Sequence, residues 1–115
     1  MKLKIYDKPL FIEELVFEIR PDLVDAYLEA DYRFFASKME GIKGYLGFEI
    51  WVSGTKPGYV RNIIFREDKG FFEAVDENWI KQADQQLKAK LGEENVRLVE
   101  ASHTVNQMYL AREFR

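Results

Sequence analysis

The 115-residue sequence contains no cysteine and only one histidine. Without cysteine the chain can form neither disulfides nor zinc–thiolate sites, and it has no thiol nucleophile. One histidine supplies too few imidazoles for a histidine-based zinc site, so no metal is expected. A cysteine-free chain fits a reducing compartment, and the cytoplasm is therefore the expected location.

Long apolar runs and an excess of basic charge are also missing. No run approaches the ~18 apolar residues of a membrane span, and the charges in "MKLKIYDKP" are too close together for a signal-peptide core. The net charge is −3, from 17 basic and 20 acidic residues that are interspersed. Nucleic-acid-binding proteins usually carry a basic excess or stripe. Neither a membrane nor a nucleic acid is therefore expected as a partner.

The composition that remains is that of a globular protein, with 47% apolar and 15% aromatic residues. The length fits a single domain over residues 1–115. No repeat, linker or low-complexity tract divides it. So many aromatic rings in a short chain predict a dense core or extensive burial between subunits.

The first half of the chain predicts a strand followed by a helix. Residues 11–20, "FIEELVFEIR", alternate with period two and are rich in β-branched and aromatic side chains. Pro21 ends this strand, and acidic residues follow, as is typical of a helix start. The first helix is predicted over about 22–40, with Gly41 as its C-terminal cap.

The second half predicts a hairpin, a helix and a last strand. Strands at 45–53 and 59–67 flank the turn "GTKPG". A helix is predicted over about 69–91, with a kink or restart near Asp76, and strand character returns from 96 to about 110. The order βαββαβ predicts an α+β, ferredoxin-like fold, a four-stranded antiparallel sheet with two helices on one face. "KLKIY" is predicted to add a short strand against the C-terminal segment.

Both faces of this sheet are apolar, although the helices cover only one. In the second strand, alternation sorts the side chains into two sets: Leu46, Phe48, Ile50 and Val52 against Tyr45, Glu49 and Trp51. An uncovered apolar face of that size is rare on a monomer. The pattern therefore predicts a homodimer in which two sheets face each other around a two-fold axis.

Several short motifs resemble the dimeric α/β-barrel superfamily that contains the antibiotic-biosynthesis-monooxygenase-like proteins. They are "PDL" at 21–23, Asp31, "GYLG" at 44–47, "EIW" at 49–51 and "LVEAS" at 98–102. More narrowly, they are similar to a group of small bacterial proteins in that superfamily. The resemblance implies a dimeric α/β barrel. It supplies a fold and not a substrate.

The superfamily includes cofactor-independent quinone-forming monooxygenases and haem-degrading enzymes. Haem degraders use an Asn in the first strand and a Trp and a His near the second helix. The first strand here has no Asn, and the second helix has Trp79 but no His. The resemblance therefore favours an enzyme without a cofactor over haem degradation.

Asp31 is the candidate catalytic base. On a helical wheel with Leu23 at zero, Tyr27, Asp31 and Phe35 fall near ~40°, ~80° and ~120°. A carboxylate in the middle of an apolar face must be hydrogen-bonded, ion-paired or protonated. It is either a general base whose pKa is raised in an apolar pocket or a structural carboxylate satisfied by a partner on the sheet.

Four aromatic residues are predicted to line the pocket around Asp31: Tyr27, Phe34, Phe35 and Trp79. Trp79 also fits an ordinary core stripe, which is the commoner meaning of such spacing. Glu49 and Trp51 share a strand face and form either a pocket wall or the dimer interface. His103 is a candidate proton shuttle, but a structural histidine is the simpler interpretation.

Two functions stay open. One is an enzyme that deprotonates a phenolic or enolic substrate, making it electron-rich enough to react with oxygen without metal or flavin. The other is a non-catalytic binding or stress-associated module that holds an apolar small molecule, or no ligand. RNA binding, which RNA-recognition domains of this topology perform, is set aside because "YVRNIIFR" lacks their glycine and stacking aromatic positions.

Overall fold

A computed structural model describes residues 1–104 and 109–115 of the chain. Its strands, in chain order, are β1 (Leu3–Ile5), β2 (Phe11–Ile19), β3 (Tyr45–Val52), β4 (Tyr59–Arg66), β5 (Val96–Thr104) and β6 (Arg112–Phe114). Its α-helices are α1 (Val24–Asp31), α2 (Ser37–Met39), α3 (Lys69–Glu73) and α4 (Glu77–Leu91). None of the described helices is both long and apolar enough to cross a bilayer.

The main sheet has four antiparallel strands in the order β3-β4-β2-β5. The two strands that come directly before the helical segments, β2 and β4, therefore lie in the centre. Leu15 of β2 stands opposite Asn62 of β4 on one side and Ala101 of β5 on the other. This is the ferredoxin-like α+β arrangement, so the predicted fold class is confirmed.

The termini form a separate two-stranded ribbon in which β1 pairs with β6. This pairing confirms the extra strand predicted for "KLKIY". The predicted last strand, 96 to about 110, is observed as β5 up to Thr104, and its positions 105–108 lie outside the described residues. Arg115 at the end of the ribbon donates to Glu49 on β3 at 3.1 Å.

The first predicted helix is built from four short pieces. A 3₁₀ turn at Pro21–Leu23 leads into α1, a π-helical turn follows at Tyr32–Ala36, and α2 ends the segment. Proline suits the first turn because its missing N–H would have no partner there. Just past the end of α2, Gly41 has φ of +88°, a conformation that glycine adopts without strain and that commonly ends helices.

The second predicted helix restarts where the sequence indicated. The short α3 is capped by Asp68, whose carboxylate accepts from the Phe71 backbone N–H at 3.3 Å. Asp76 then caps α4, accepting from the Asn78 backbone N–H at 2.9 Å. Each cap satisfies a donor that the first helical turn leaves free. The predicted break near Asp76 is confirmed.

The helices pack on one face of the sheet, and the core lies between the two layers. Its buried members come from both: Ile19, Tyr27, Ala30, Val60, Leu87, Leu91 and Val96. The opposite face bears Trp51, which is 59% exposed in the single chain. One predicted orientation is wrong, because alternation predicts Tyr45 on the Trp51 face. The pairing of β3 with β4 shifts register between Tyr45 and Gly47. Tyr45 therefore lies on the other face of the sheet, opposite Arg66.

Candidate functional site

A cavity of about 690 Å³ lies between the sheet and the helices. This volume falls in the range that small-molecule pockets occupy. Its walls are mainly apolar, with aliphatic and aromatic side chains from both layers, among them Leu15, Phe17, Phe35, Phe48, Ile64 and Phe72. The predicted alternation of β2 and β4 explains this lining, because every second side chain faces the helices.

Asp31, the last residue of α1, projects into this cavity. It is only 4% exposed, and its Oδ2 atom has no hydrogen-bond partner among the described residues. Burial disfavours the charged carboxylate and raises the pKa of Asp31 to about 6. A carboxyl group with that pKa is ionised at neutral pH and is a stronger proton acceptor than a solvated aspartate.

The π-helical turn after Asp31 keeps the following residues on the cavity side. Tyr27, Asp31, Phe35 and Met39 all line the cavity at intervals of four residues. On a regular α-helix each such step advances by about 40°, so the fourth residue would rotate away from the first. The wider turn at Tyr32–Ala36 offsets this drift. Such turns are frequent at functional sites.

Tyr27 and Asn62 form a buried polar pair beside Asp31. The Asn62 side-chain amide donates to the Tyr27 hydroxyl at 2.8 Å. Burial, and then the charge of Asp31, raise the pKa of Tyr27 far above its usual range. Tyr27 therefore stays protonated as a hydrogen-bond donor. The Asn62 carbonyl oxygen Oδ1 has no partner among the described residues.

A second polar group, Arg66 with Glu13, lines another part of the cavity. Arg66 is 4% exposed, and its guanidinium contacts the Glu13 carboxylate at 3.4 Å. The guanidinium carbon also lies 5.6 Å from the ring centroid of Phe72, within the range of a cation–π contact. Glu13 and Arg66 thus neutralise each other within an apolar environment.

Charged side chains from α3 and α4 complete the lining: Glu73, Glu77, Lys81 and Asp84. Glu73 pairs with Lys69 at 3.4 Å, and Asp84 pairs with Lys88 at 3.0 Å. These pairs are between 36% and 61% exposed and contribute little to stability. Within the described part of the chain, no group of three or more acidic or histidine side chains is arranged to hold a metal ion.

The structure brings together only some of the predicted site residues. Asp31, Tyr27 and Phe35 line one cavity. Phe34 packs against the core instead, with the Arg33 guanidinium 5.5 Å from its ring centroid. Trp79 stands behind the cavity wall, edge-on to Phe35 at a centroid distance of 6.2 Å.

The other three predicted site residues lie away from this cavity lining. Glu49 and Trp51 are on the opposite face of the sheet, where the Trp51 indole N–H donates to Glu49 at 3.0 Å. His103 pairs across the sheet with Glu13 and lies 5.2 Å from Phe11 and 6.1 Å from Phe72, centroid to centroid. It is exposed, next to the Glu13 end of the cavity.

Sequence reasoning missed Asn62, Arg66 and Glu13. A signal for Asn62 and Arg66 was present in "YVRNIIFR", where alternation places Val60, Asn62, Ile64 and Arg66 on one face. Polar residues at two of four inward positions are unusual in a half-buried strand. Whether they belong to a site depends on which residues of β2 and α1 lie opposite them, and alternation alone does not give that register.

The raised pKa of Asp31 predicts a pH-dependent difference in stability between the wild type and Asp31→Asn. The stability contributed by protonated Asp31 is fully present below its unfolded value of 3.8 and is lost as the pH rises through about 6. At about 1.4 kcal/mol per pKa unit, the loss amounts to as much as about 3 kcal/mol. Asparagine cannot ionise, so the free energy of unfolding of Asp31→Asn should increase relative to that of the wild type as the pH rises over this range.

Urea unfolding between about pH 4 and about pH 8, at one protein concentration, measures this difference. Asp25→Asn, at an exposed position on the same helix, is the matched control and should track the wild type. A difference between Asp31→Asn and wild type that is constant with pH would show that Asp31 has an ordinary pKa.

No protein-family model matches the sequence, and the comparison with curated proteins gives no match. Solved structures do match, and they include several proteins provisionally named antibiotic biosynthesis monooxygenases. The Bordetella bronchiseptica protein is 15% identical, with a TM-score of 0.62 over 88% of this chain and 100% of that one. The Chloroflexus aurantiacus protein is 13% identical, with a TM-score of 0.61 over 89% and 97%.

The Caulobacter crescentus protein is 11% identical, with a TM-score of 0.62 over 86% of this chain and 92% of that one. All three alignments extend over nearly the whole of both chains. Identities this low establish a common backbone architecture and carry no information on substrate. The chain thus shares the ferredoxin-like α+β fold of these three proteins.

Proposed function

We propose that this chain binds an apolar aromatic small molecule in the cavity between sheet and helices, and that Asp31 removes a proton from it. The observation that carries the proposal is the buried Asp31 carboxyl group, which belongs to the lining of a mainly apolar cavity and whose Oδ2 has no partner among the described residues. A purely structural carboxylate would be expected to have a hydrogen-bond or ionic partner for each buried oxygen.

The reaction proposed is oxygenation of a phenolic or enolic substrate by molecular oxygen, without a cofactor. Asp31 takes the hydroxyl proton, which leaves an electron-rich aromatic anion. A ring carbon of this anion transfers electrons to O₂ and forms a C–O bond, giving a peroxide anion. This anion takes the proton back from Asp31 and becomes a hydroperoxide, which restores the base. Loss of water then breaks the O–O bond and leaves a carbonyl group. One oxygen atom enters the product and the other leaves as water, so no external reductant is required.

The residues around Asp31 fit these steps. The apolar walls exclude water, which would otherwise solvate the carboxylate and lower its basicity. Tyr27 stays protonated and can donate to the substrate oxygen as negative charge develops there. The aromatic side chains of Phe35, Phe48 and Phe72 provide surfaces for stacking an aromatic ring. The names of the similar structures, which include monooxygenase, add support of a weaker kind.

The proposed functional form is a homodimer in which the uncovered sheet faces meet. On that face Trp51 is 59% exposed, and its neighbours include Ile12, Ile63 and Phe65, which are partly exposed. Sheet-on-sheet packing would bury these side chains. The cavity is lined on the other face by residues of one chain, so each subunit would carry its own site.

Aerobic incubation with 1-naphthol tests the activity. The expected result is 1,4-naphthoquinone, seen by its absorbance, with one atom of oxygen derived from ¹⁸O₂ and one molecule of O₂ consumed per product. Heat-denatured protein is the control for spontaneous oxidation. Product at the background rate would contradict the monooxygenase.

Quenching of tryptophan fluorescence by naphthol, without product, would instead support the alternative function, a non-catalytic binding module, because Trp79 contacts the cavity wall through Phe35.

A further inference from the structure

A second depression lies within the helical layer, between the first helical segment and the end of α4. Its volume is about 660 Å³, which is in the range of small-molecule sites. We call it the outer groove, and its lining residues are Leu28, Glu29, Tyr32, Arg33, Ser37 and Lys90. None of them lines the cavity between sheet and helices. The outer groove is therefore a separate place for a ligand.

The helical segment that begins with α1 presents different sides to the two depressions. Tyr27, Asp31 and Phe35, at steps of four residues, line the cavity. Glu29 and Arg33, also four residues apart, line the outer groove. Two residues along an α-helix correspond to a rotation of about 200°, so these two sets point to nearly opposite sides. One segment thus forms a wall of each depression.

Two cations from different elements meet at the outer groove. Arg33 belongs to the π-helical turn and Lys90 to the last turn of α4. No ion pair among the described residues involves either of them. The Arg33 guanidinium carbon lies 5.5 Å from the ring centroid of Phe34, a cation–π distance. This contact uses the face of the guanidinium, and its N–H edge suits the two oxygens of an anion.

The outer groove has one acidic side chain against these two cations. Glu29 stands four residues before Arg33, a spacing at which opposite charges often pair on a helix. The two do not form an ion pair within 4.0 Å, and the Arg33 guanidinium lies against Phe34 instead. The chain as a whole carries a net charge of −3, yet the groove lining carries one positive charge in excess. A negatively charged ligand is therefore favoured at this place.

The rest of the lining offers an aromatic and an aliphatic surface. Tyr32 is 67% exposed, and Leu28 is partly buried. A planar ring that covers Tyr32 removes apolar surface of both rings from water. The Ser37 hydroxyl already donates to the Arg33 backbone carbonyl at 3.2 Å, so Arg33 and Lys90 are the donors for an anion. Charge and ring surface lie together in one groove.

We propose that the outer groove binds a small aromatic anion. Its charged group lies between Arg33 and Lys90, and its ring packs on Tyr32 and Leu28. This inference goes beyond the proposed oxygenase, because it requires neither Asp31 nor the dimer. It gives the chain a second ligand site, on the other side of the helical segment that carries Asp31.

Titration of the ¹⁵N-labelled wild-type protein with three naphthalenes tests the proposal. 2-Naphthoate is an anion, 2-naphthalenemethanol is neutral and 2-naphthylmethylamine is a cation at neutral pH. The backbone amides of Arg33 and Lys90 report on the outer groove, and those of Leu15 and Ile64 report on the cavity. The naphthoate should shift the groove amides saturably, with an affinity about tenfold higher than that of the alcohol, because two exposed ion pairs form. The amine should bind more weakly than the alcohol.

Three variants and a control assign this preference to the charges of the groove. Arg33→Gln and Lys90→Gln should each weaken naphthoate binding several-fold and leave binding of the alcohol unchanged. Glu29→Gln should strengthen naphthoate binding, because it removes the opposing charge. Lys38→Gln removes a nearby exposed cation that does not line the groove, and it should behave as the wild type. All four positions are exposed, so the variants are expected to fold.

Several results would overturn the inference. Equal affinity of the groove amides for naphthoate and alcohol would show that no anion is recognised. Shifts that grow linearly without saturation, or that appear only at Leu15 and Ile64, would show that the outer groove is not a site. Equal losses in Arg33→Gln and Glu29→Gln would contradict recognition by charge.

Failure of this inference is distinguishable from failure of the proposed function. Quinone formation from 1-naphthol by a protein whose groove does not bind naphthoate would refute the inference and leave the oxygenase. Saturable naphthoate binding at the outer groove without any quinone product would leave the inference and refute the oxygenase.

Discussion

Replacing Asp31 with asparagine is expected to lower the rate of quinone formation from 1-naphthol by about 10²–10⁴-fold, the usual contribution of a general base. Asparagine has nearly the same shape as aspartate but cannot accept the substrate proton. Because the Asp31 carboxyl lies in the cavity with its Oδ2 unpartnered among the described residues, the substitution removes no hydrogen bond of that atom within this part of the chain. Two quantities are measured for the wild type and for Asp31→Asn: the initial rate of naphthoquinone formation and, separately, the affinity for 1-naphthol.

The pH dependence of the wild-type rate is the second part of this expectation. The base acts in its ionised form, so kcat/KM should rise with pH and level off above about 6, the pKa of Asp31. The residual rate of Asp31→Asn should lack this inflection. Asp25→Asn, at an exposed position of α1, should keep both the rate and the inflection.

Two outcomes would contradict the role of Asp31. A variant with the wild-type rate would show that another group accepts the proton. A variant that loses activity together with its folded circular-dichroism spectrum would show a structural carboxylate. The second outcome conflicts with the structure for a physical reason: at neutral pH the ionised Asp31 is expected to destabilise the fold, because burial raises its pKa.

The sequence predicted most of the fold because its signals are local. Period-two alternation identified β2 and the β3–β4 hairpin, and Asp76 marked the start of α4. Asp31 could also be singled out, since its place on an apolar helix face follows from helical spacing alone. Each of these features depends on residues within a few positions of one another.

Other features of the site depend on backbone irregularities or on long-range pairing, which regular local patterns do not encode. The wider π turn after Asp31 brought Phe35 to the cavity and left Phe34 in the core. The bulge in β3 reversed Tyr45. Asn62 belongs to the site through its hydrogen bond to Tyr27, which is 35 positions away in sequence. Register shifts of one residue exchange the faces of a strand, so such residues become recognisable only when the pairing is known.

Replacing Trp51 with glutamate is expected to weaken the proposed dimer by about 4 kcal/mol, on the order of 10³-fold in Kd. Tryptophan is a frequent hot spot at interfaces, where its loss costs at least about 2 kcal/mol. A two-fold axis brings two copies of each residue into one interface, so each substitution counts twice. Glutamate would also add a charge beside Glu49, which now accepts from the Trp51 indole at 3.0 Å.

Sedimentation at micromolar concentration measures the effect. The wild type is expected at about twice the 13.6 kDa mass of the chain, and Trp51→Glu at the mass of one chain. Tyr32→Glu is the matched control, because Tyr32 is 67% exposed but belongs to the helical layer, away from the Trp51 face. A wild-type protein that sediments as a stable monomer would refute the dimer. Because the cavity is lined by one chain on the other face of the sheet, ligand binding by a folded Trp51→Glu monomer would show that the site and the interface are independent.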